Sequence, residues 1–166
     1  AVDHFAAYLR YSFTPGAIAA KTDPEVRPQK GVAPHMIAIA TAQEIRANLG
    51  DVRVSGATCT EWIDRSIAEI ARDFYKPDEG ALMETVGPAG EILDHFDGRL
   101  LNPGHAIECA WFILHEARQR QRDRALTRLG AGILDCMWRR GWDEQFGGIL
   151  YFVDLKNLPV QEYWAD

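Results

Sequence analysis

Apolar residues recur along this chain at three- and four-residue spacing, and strand-like alternation is confined to short stretches, so the pattern predicts a mostly α-helical protein. A first helix is expected over residues 3–13 (DHFAAYLRYSF), broken by Pro15 and Gly16. Residues 14–34 carry Pro15, Pro24, Pro28 and Pro34 with few large apolar groups and read as a long extended loop. A second helix spans 35–49, with Met36, Ile37, Ile39, Ala40 and Ile45 apolar and Gly50 as its stop. A third starts behind Thr58, where Glu61 completes a capping box and Trp62, Ile63, Ile67, Ile70 and Phe74 form a stripe. Lys76-Pro77 ends it, and in residues 81–93 the turn Gly87-Pro88-Ala89-Gly90 between two β-prone runs predicts a small hairpin. The sharpest helix start is Asn102 at the N-cap followed by Pro103, predicting a helix to about Gln119. Asp123 caps the next, which ends near Arg140-Gly141 and turns Leu126, Leu129, Ile133, Leu134, Met137 and Trp138 inward. The short join between these two makes them antiparallel. The chain thus reads as helical hairpins with β-prone inserts at one end, the last being Gly147-Gly148 followed by ILYFV.

Composition narrows the class. At 166 residues, 47% hydrophobic and 25% charged, the chain is expected to be one globular domain. No apolar run approaches the ~18 residues of a membrane span. The start, AVDHFAAYLR, lacks a basic region followed by an apolar stretch, so a cytoplasmic protein without membrane association is expected. Eighteen Lys+Arg against 24 Asp+Glu give a net charge of −6, and no basic stripe is interleaved with aromatics, which argues against nucleic acid as a partner. Cys59, Cys109 and Cys136 lack the close pairing of zinc sites and read as small buried hydrophobes in a reducing compartment.

The richest stretch for chemistry is GRLLNPGHAIECAWFILHEA, residues 98–117. On a helix from Pro103, residues Ile107, Ala110, Trp111 and Leu114 fall on one side and His105, Glu108, Phe112 and His115 on the other, as expected of a helix lining a cavity. A neutral imidazole at His105 is a competent base, and Glu108, three residues on, can accept its N–H and fix the tautomer. The same two residues also suit a plain helix cap. His35 heads the second helix as either a core histidine or a cavity-facing one. Trp142, in GWDEQFGG, reads as part of a turn or as an aromatic wall for a sugar ring. His105 and Cys109 lack a third ligand, so no metal is expected.

Three stretches together resemble the N-acylglucosamine 2-epimerase family, also described as renin-binding proteins: residues 98–117, GWDEQFGGILYFVD at 141–154, and the looser PEVRPQKGVAPHMIAIATAQEIR at 24–46. The resemblance implies an (α/α)6 barrel, a toroid of antiparallel helical hairpins in two rings with loops roofing the active site at one end. It also implies interconversion of N-acetylglucosamine and N-acetylmannosamine by removal and return of the C2 proton. The histidine of the family's NPGH motif matches His105 and the following glutamate matches Glu108, both therefore catalytic candidates. His35, Asn102, Trp111 and Trp142 are the candidates for substrate contact. The chemistry requires no cofactor, while the family's nucleotide stimulation makes ATP a candidate activator and its frequent dimers make a homodimer a candidate assembly. Inverting a carbon needs access from both faces, so one histidine cannot suffice. Family members are longer and carry a second catalytic histidine near the C-terminus. Residues 1–166 are therefore expected to form one partial domain, roughly the middle of the barrel, that does not turn over alone and is followed by another ring helix after Asp166. An aldose–ketose isomerase on the same scaffold and a non-catalytic interaction protein are the alternatives.

Overall fold

The computed structural model describes residues 1–19 and 23–160. Residues 20–22 of the predicted loop lie outside the described residues. Four long helices dominate: α1 (Val2–Phe13), α2 (Ala33–Leu49), α5 (Pro103–Gln119) and α6 (Arg124–Gly141). Helix α3 (Cys59–Glu69) continues into a widened π turn at Ile70–Phe74, and α4 (Phe96–Arg99) is a single turn. The local start signals act as expected. Thr58 Oγ1 accepts from the Glu61 amide at 3.1 Å while the Glu61 carboxylate accepts from the Thr58 amide at 2.7 Å. Asp123 accepts from the amides of Ala125 and Leu126 at 2.8 and 3.0 Å, starting α6 where the chain has just turned back.

Eight two-residue strands form four antiparallel pairs: β1 (Lys30–Gly31) with β6 (Thr85–Val86), β2 (Arg53–Val54) with β3 (Ala57–Thr58), β4 (Tyr75–Lys76) with β5 (Ala81–Leu82), and β7 (Leu100–Leu101) with β8 (Val153–Asp154). The hairpin expected around residues 87–90 is replaced by a different pairing. The Gly87–Gly90 segment is a tight turn closed by Gly87 N–H to Glu91 O at 2.9 Å, but the strand before it is hydrogen-bonded to β1 instead. The hairpin turn lies earlier, at Pro77–Gly80, between β4 and β5. The insert after Gly148 likewise forms only an isolated bridge from Trp142 to Ile149, and its strand pairs back to β7.

Helices α2 and α3 form one antiparallel hairpin, α5 and α6 a second, and the two meet where α2 packs on α5. Glycine makes the second seam close: a Cβ at Gly130 would lie 2.7 Å from Leu114 Cγ, and one at Gly141 2.3 Å from Pro103 Cβ. The expected division of α5 into two faces is corrected. Its buried band is Pro103, Ala106, Cys109, Ala110, Phe112, Ile113, Glu116 and Ala117, covering about half the circumference. Two neighbours grip the helix, α6 along Ala110 and Leu114 and α2 along Phe112 and Glu116, which is why the band joins residues from both predicted stripes. Trp138, expected inside, is 47% exposed, because it stacks outward on Trp142 with ring centroids 5.6 Å apart. Cys59, Cys109 and Cys136 are buried free thiols, as read from the sequence, and burial pushes the Cys109 thiol up to about 12.

Glu116 is fully buried where the hairpins meet. Arg46 of α2 donates to its two oxygens at 3.0 and 2.7 Å, Gln43 of α2 at 3.1 Å, and Arg120, one turn on, at 2.6 Å. Arg46 also reaches Thr60 Oγ1 at 3.1 Å, and Arg120 Nη2 lies 2.7 Å from Asp64 Oδ1 in an ion pair without hydrogen-bond alignment, so α3 joins the network. Burial opposes ionisation of Glu116, but the bonds from Arg46, Gln43 and Arg120 outweigh it and hold the carboxyl below its ordinary value. A carboxyl lowered on folding contributes stability above its ordinary value of 4.5 that is lost as pH falls through the folded value. Glu116→Ala, which leaves two guanidinium groups facing a void, should lower the unfolding free energy by about 3–5 kcal/mol in urea titrations at pH 7. Glu116→Gln should flatten the loss of stability on acidification below pH 4.5, read from the same titrations.

Candidate functional site

The N-termini of α2 and α5, the C-termini of α3 and α6, and three of the four small sheets share one end of the molecule. That end carries most of the residues singled out in the sequence. His105 sits in the first turn of α5, where Asn102, the N-cap, accepts from the His105 amide at 3.0 Å. Asn102 is itself buried, and its side-chain oxygen is committed to this cap. The His105 side chain is 48% exposed, and its Nδ1 lies 3.3 Å from Glu84 Oε2.

Glu84 was not singled out by sequence reasoning. It lies between β5 and β6, and its backbone carbonyl accepts from Val32 N–H at 3.0 Å, which fixes the residue against the start of α2. Its side chain is largely covered, and burial raises the carboxyl above its ordinary value although the facing imidazole opposes the rise. The signal available in the sequence was a single acid inside the otherwise apolar, β-prone run ALMETV. Glu108, read as the partner of His105, is exposed one turn along α5, and the carboxylate within hydrogen-bond reach of the ring is that of Glu84.

His35 belongs to a second group. Its ring is packed between Phe13 and Phe74, with centroids 5.2 and 5.8 Å away, and Nε2 lies 3.4 Å from Glu69 Oε1. Glu69 also receives Lys30 Nζ at 2.9 Å, and Lys30 binds Asp73, which Arg72 clamps from the other side at 2.7 Å. The π turn that ends α3 carries Asp73 inward to this lysine. Hydrogen bonds from Arg72, with Lys30 adding to them against burial, hold the Asp73 carboxyl far below the usual carboxylate range. Among the described residues His35 and His105 share no polar partner. The two groups are linked through β1–β6, where Lys30 lies opposite Val86 and Glu84 immediately precedes Thr85.

The tryptophans are accessible. Trp111 is 59% exposed beside Phe112, and Trp142 is 42% exposed on Trp138. Open grooves run along the α5–α6 join (Leu114, Arg118, Arg122, Thr127) and along α6 (Leu134, Asp135, Trp138, Arg139). His105 and Glu108 line neither groove. Among the described residues no helix is long and apolar enough to cross a membrane, and no three His, Cys, Asp or Glu side chains are grouped to hold a metal ion.

Burial lowers the His35 imidazole below its ordinary value of 6.5; Glu69 and Asp73 oppose this and Lys30 adds to it. Its Nδ1 is buried without a partner among the described residues, so protonation would place an unsatisfied charged donor among Phe13 and Phe74. The unfolded chain binds this proton more readily than the folded one, so stability falls as pH drops from 6.5 towards the lowered folded value. His35→Gln should remove that slope from chemical-denaturation midpoints measured between about pH 5 and 7.

Comparison with known proteins gives these positions a context. The family model for N-acylglucosamine 2-epimerase (GlcNAc 2-epimerase) matches residues 14–165. The N-acylglucosamine 2-epimerase of Bos taurus is 40% identical over 86 residues, 51% of this chain and 20% of the bovine protein. That of Homo sapiens is 31% identical over 106 residues, 63% of this chain and 24% of the human protein. A crystal structure of D-mannose isomerase aligns with a TM-score of 0.33 at 9% identity, covering 78% of this chain and 50% of that one. The matched segment spans a quarter or less of these curated relatives. With the model running through both hairpins and the Asn102–His105 turn, the chain belongs to the N-acylglucosamine 2-epimerase family.

Proposed function

We propose that this chain supplies one face of a carbohydrate epimerase site in which His105 exchanges the proton at C2 of N-acetylglucosamine and N-acetylmannosamine. The observation that carries the reading is the state of the His105 ring. Its backbone is fixed by the Asn102 cap, its Nδ1 is engaged by Glu84, and Nε2 has no protein partner among the described residues and stands on the exposed, loop-bearing end. A base so held can meet a sugar from solvent without first breaking a bond at its reactive nitrogen. Family membership supports the reaction class.

The step itself is proton transfer. His105 takes the hydrogen from the carbon beside the open-chain carbonyl, the pair left behind spreads onto the carbonyl oxygen, and return of a proton to the opposite face inverts the centre. The enolate needs donors and the opposite face needs a second acid or base, so the complete protein must place further groups around the sugar than His105 alone. No cofactor enters the proton balance. Glu108, exposed on the same helix, and Trp142 are suited to contact the sugar, the indole by covering its apolar C–H face. Ile107, Trp111 and Leu114 repeat along one face of α5, and Leu134 and Trp138 along one of α6. These apolar rows support an arc of an (α/α)6 barrel whose next hairpin packs there.

Incubating the complete protein with N-acetylmannosamine in D2O should place deuterium at C2, detected by proton NMR. His105→Ala should slow that exchange by about 10²–10⁴-fold while leaving the far-ultraviolet circular dichroism unchanged. A ketose formed from an aldose with a free C2 hydroxyl, such as mannose, with no exchange on N-acetylmannosamine, would assign the scaffold to aldose–ketose isomerisation, and undiminished exchange in the variant would remove His105 from the chemistry.

A further inference from the structure

We propose that Glu84 is a positioning residue for His105, accepting the Nδ1–H hydrogen bond and so leaving Nε2 as the nitrogen that takes the substrate proton. The proposal rests on the reading of His105 as the base. An ionised carboxylate only accepts hydrogen bonds, so a neutral imidazole that bonds to Glu84 through Nδ1 must carry its hydrogen there. The contact is 3.3 Å, and both partners are held by backbone from different elements. Glu84 is fixed by Val32 N–H on its carbonyl and by the β1–β6 pairing that begins at the next residue; His105 is fixed by the Asn102 cap.

Two features separate this contact from an incidental surface pair. The Glu84 side chain is only 20% exposed, so the carboxylate acts through a partly desolvated path and not through bulk water. It is also aimed at a ring that is itself about half exposed and whose Nε2 has no protein partner among the described residues, which matches the division of labour between an orienting carboxylate and a working imidazole. When Nε2 accepts the C2 proton the ring becomes a cation, and the neighbouring carboxylate offsets the charge as it forms. Glu108 is suited to a different task, because it is exposed on the side of α5 that faces away from the buried band.

The tautomer is directly measurable. In protein labelled with 15N-histidine, at a pH where the ring is neutral, the imidazole shifts of His105 should show hydrogen on Nδ1, and Glu84→Ala should move it to Nε2. Amide resonances of Lys30, Gly31, Thr85 and Val86 report whether β1–β6 survives; if it does not, Glu84→Met, of similar length without an acceptor, takes the place of the alanine variant. Hydrogen on Nε2 in the unaltered protein, or the same tautomer in the variants, overturns the proposal. In the complete enzyme, Glu84→Gln should lower kcat for C2 exchange about 10- to 100-fold with KM changed less than about twofold. An unchanged kcat alongside an inactive His105→Ala sinks the role of Glu84 and spares that of His105. An active His105→Ala sinks the base assignment, while the tautomer shift still decides whether Glu84 governs the ring.

Discussion

The relative placement of the two helical hairpins is set by one buried carboxylate. Glu116 projects from the last turns of α5 into the space beside α2, where Gln43 and Arg46 are spaced to meet it, and Arg46 and Arg120 extend the network to Thr60 and Asp64 of α3. Apolar packing alone tolerates sliding of one helix along another, whereas a bidentate guanidinium–carboxylate pair is satisfied at one register only. A buried ion pair is not a rich source of net stability, because both charges lose their hydration. Its effect here is geometrical. His105 lies eleven residues before Glu116 and His35 eleven before Arg46, a rise of about 16 Å along each helix, so clamping one end fixes the depth of both imidazoles at the other.

At that other end order comes from short backbone pairings. The sheet β1–β6 contains only four residues, yet it holds Lys30 against Glu69 and Asp73 on one side and brings Glu84 to His105 on the other. The division suits a site: a rigid frame positions the imidazole, while loops with few buried apolar groups remain free to fit a ligand. His35 sits on the framing side of this division. Its ring fills the space between Phe13 of α1 and Phe74 of the π turn, and its lowered basicity follows from that burial.

How much of this could be read beforehand depended on sequence distance. The Thr58–Glu61 box, the Asn102 cap and the Asp123 cap are closed within three residues, so the residues that make them stand together in the sequence. The helical class followed from the three- and four-residue apolar spacing, and the starts of α3, α5 and α6 from these caps. Glu116 meets Gln43 and Arg46 across separations of 73 and 70 residues, and Glu84 meets His105 across 21, so helical periodicity carries no trace of either contact. A subtler signal existed for the first. Glu116 continues the row Ala106, Cys109, Ile113 in which every other member is apolar, and Gln43 similarly interrupts the row Met36, Ile39 on α2. Polar residues at stripe positions on two helices are candidates for one another. The misplaced hairpin has the same origin, since a β-prone run declares its propensity but not its partner, and β1 on the far side of two helices had the better claim.

The distribution of aromatic residues completes the argument. Trp62 is tied down, its indole N–H donating to Val54 O at 2.8 Å and its ring stacked on Phe13. Trp111, Trp138 and Trp142 are not so used and remain substantially exposed on the second hairpin. Large indoles left in water on helices whose opposite faces are fully packed point to surfaces meant to be covered. Two covers are consistent with family membership: a neighbouring hairpin against the rows on α5 and α6, and a sugar against the rings nearest the loop-bearing end. On the reading proposed above, the N-terminal position of His105 and the location of Trp142 at the end of α6 put the sugar at that end, whereas Leu134 and Trp138 lie farther along α6 where helix packing is the better match. At about 100° per residue His105 points away from the row Ile107, Trp111 and Leu114 on the far side of α5, so a further hairpin packed on that row would leave the imidazole uncovered.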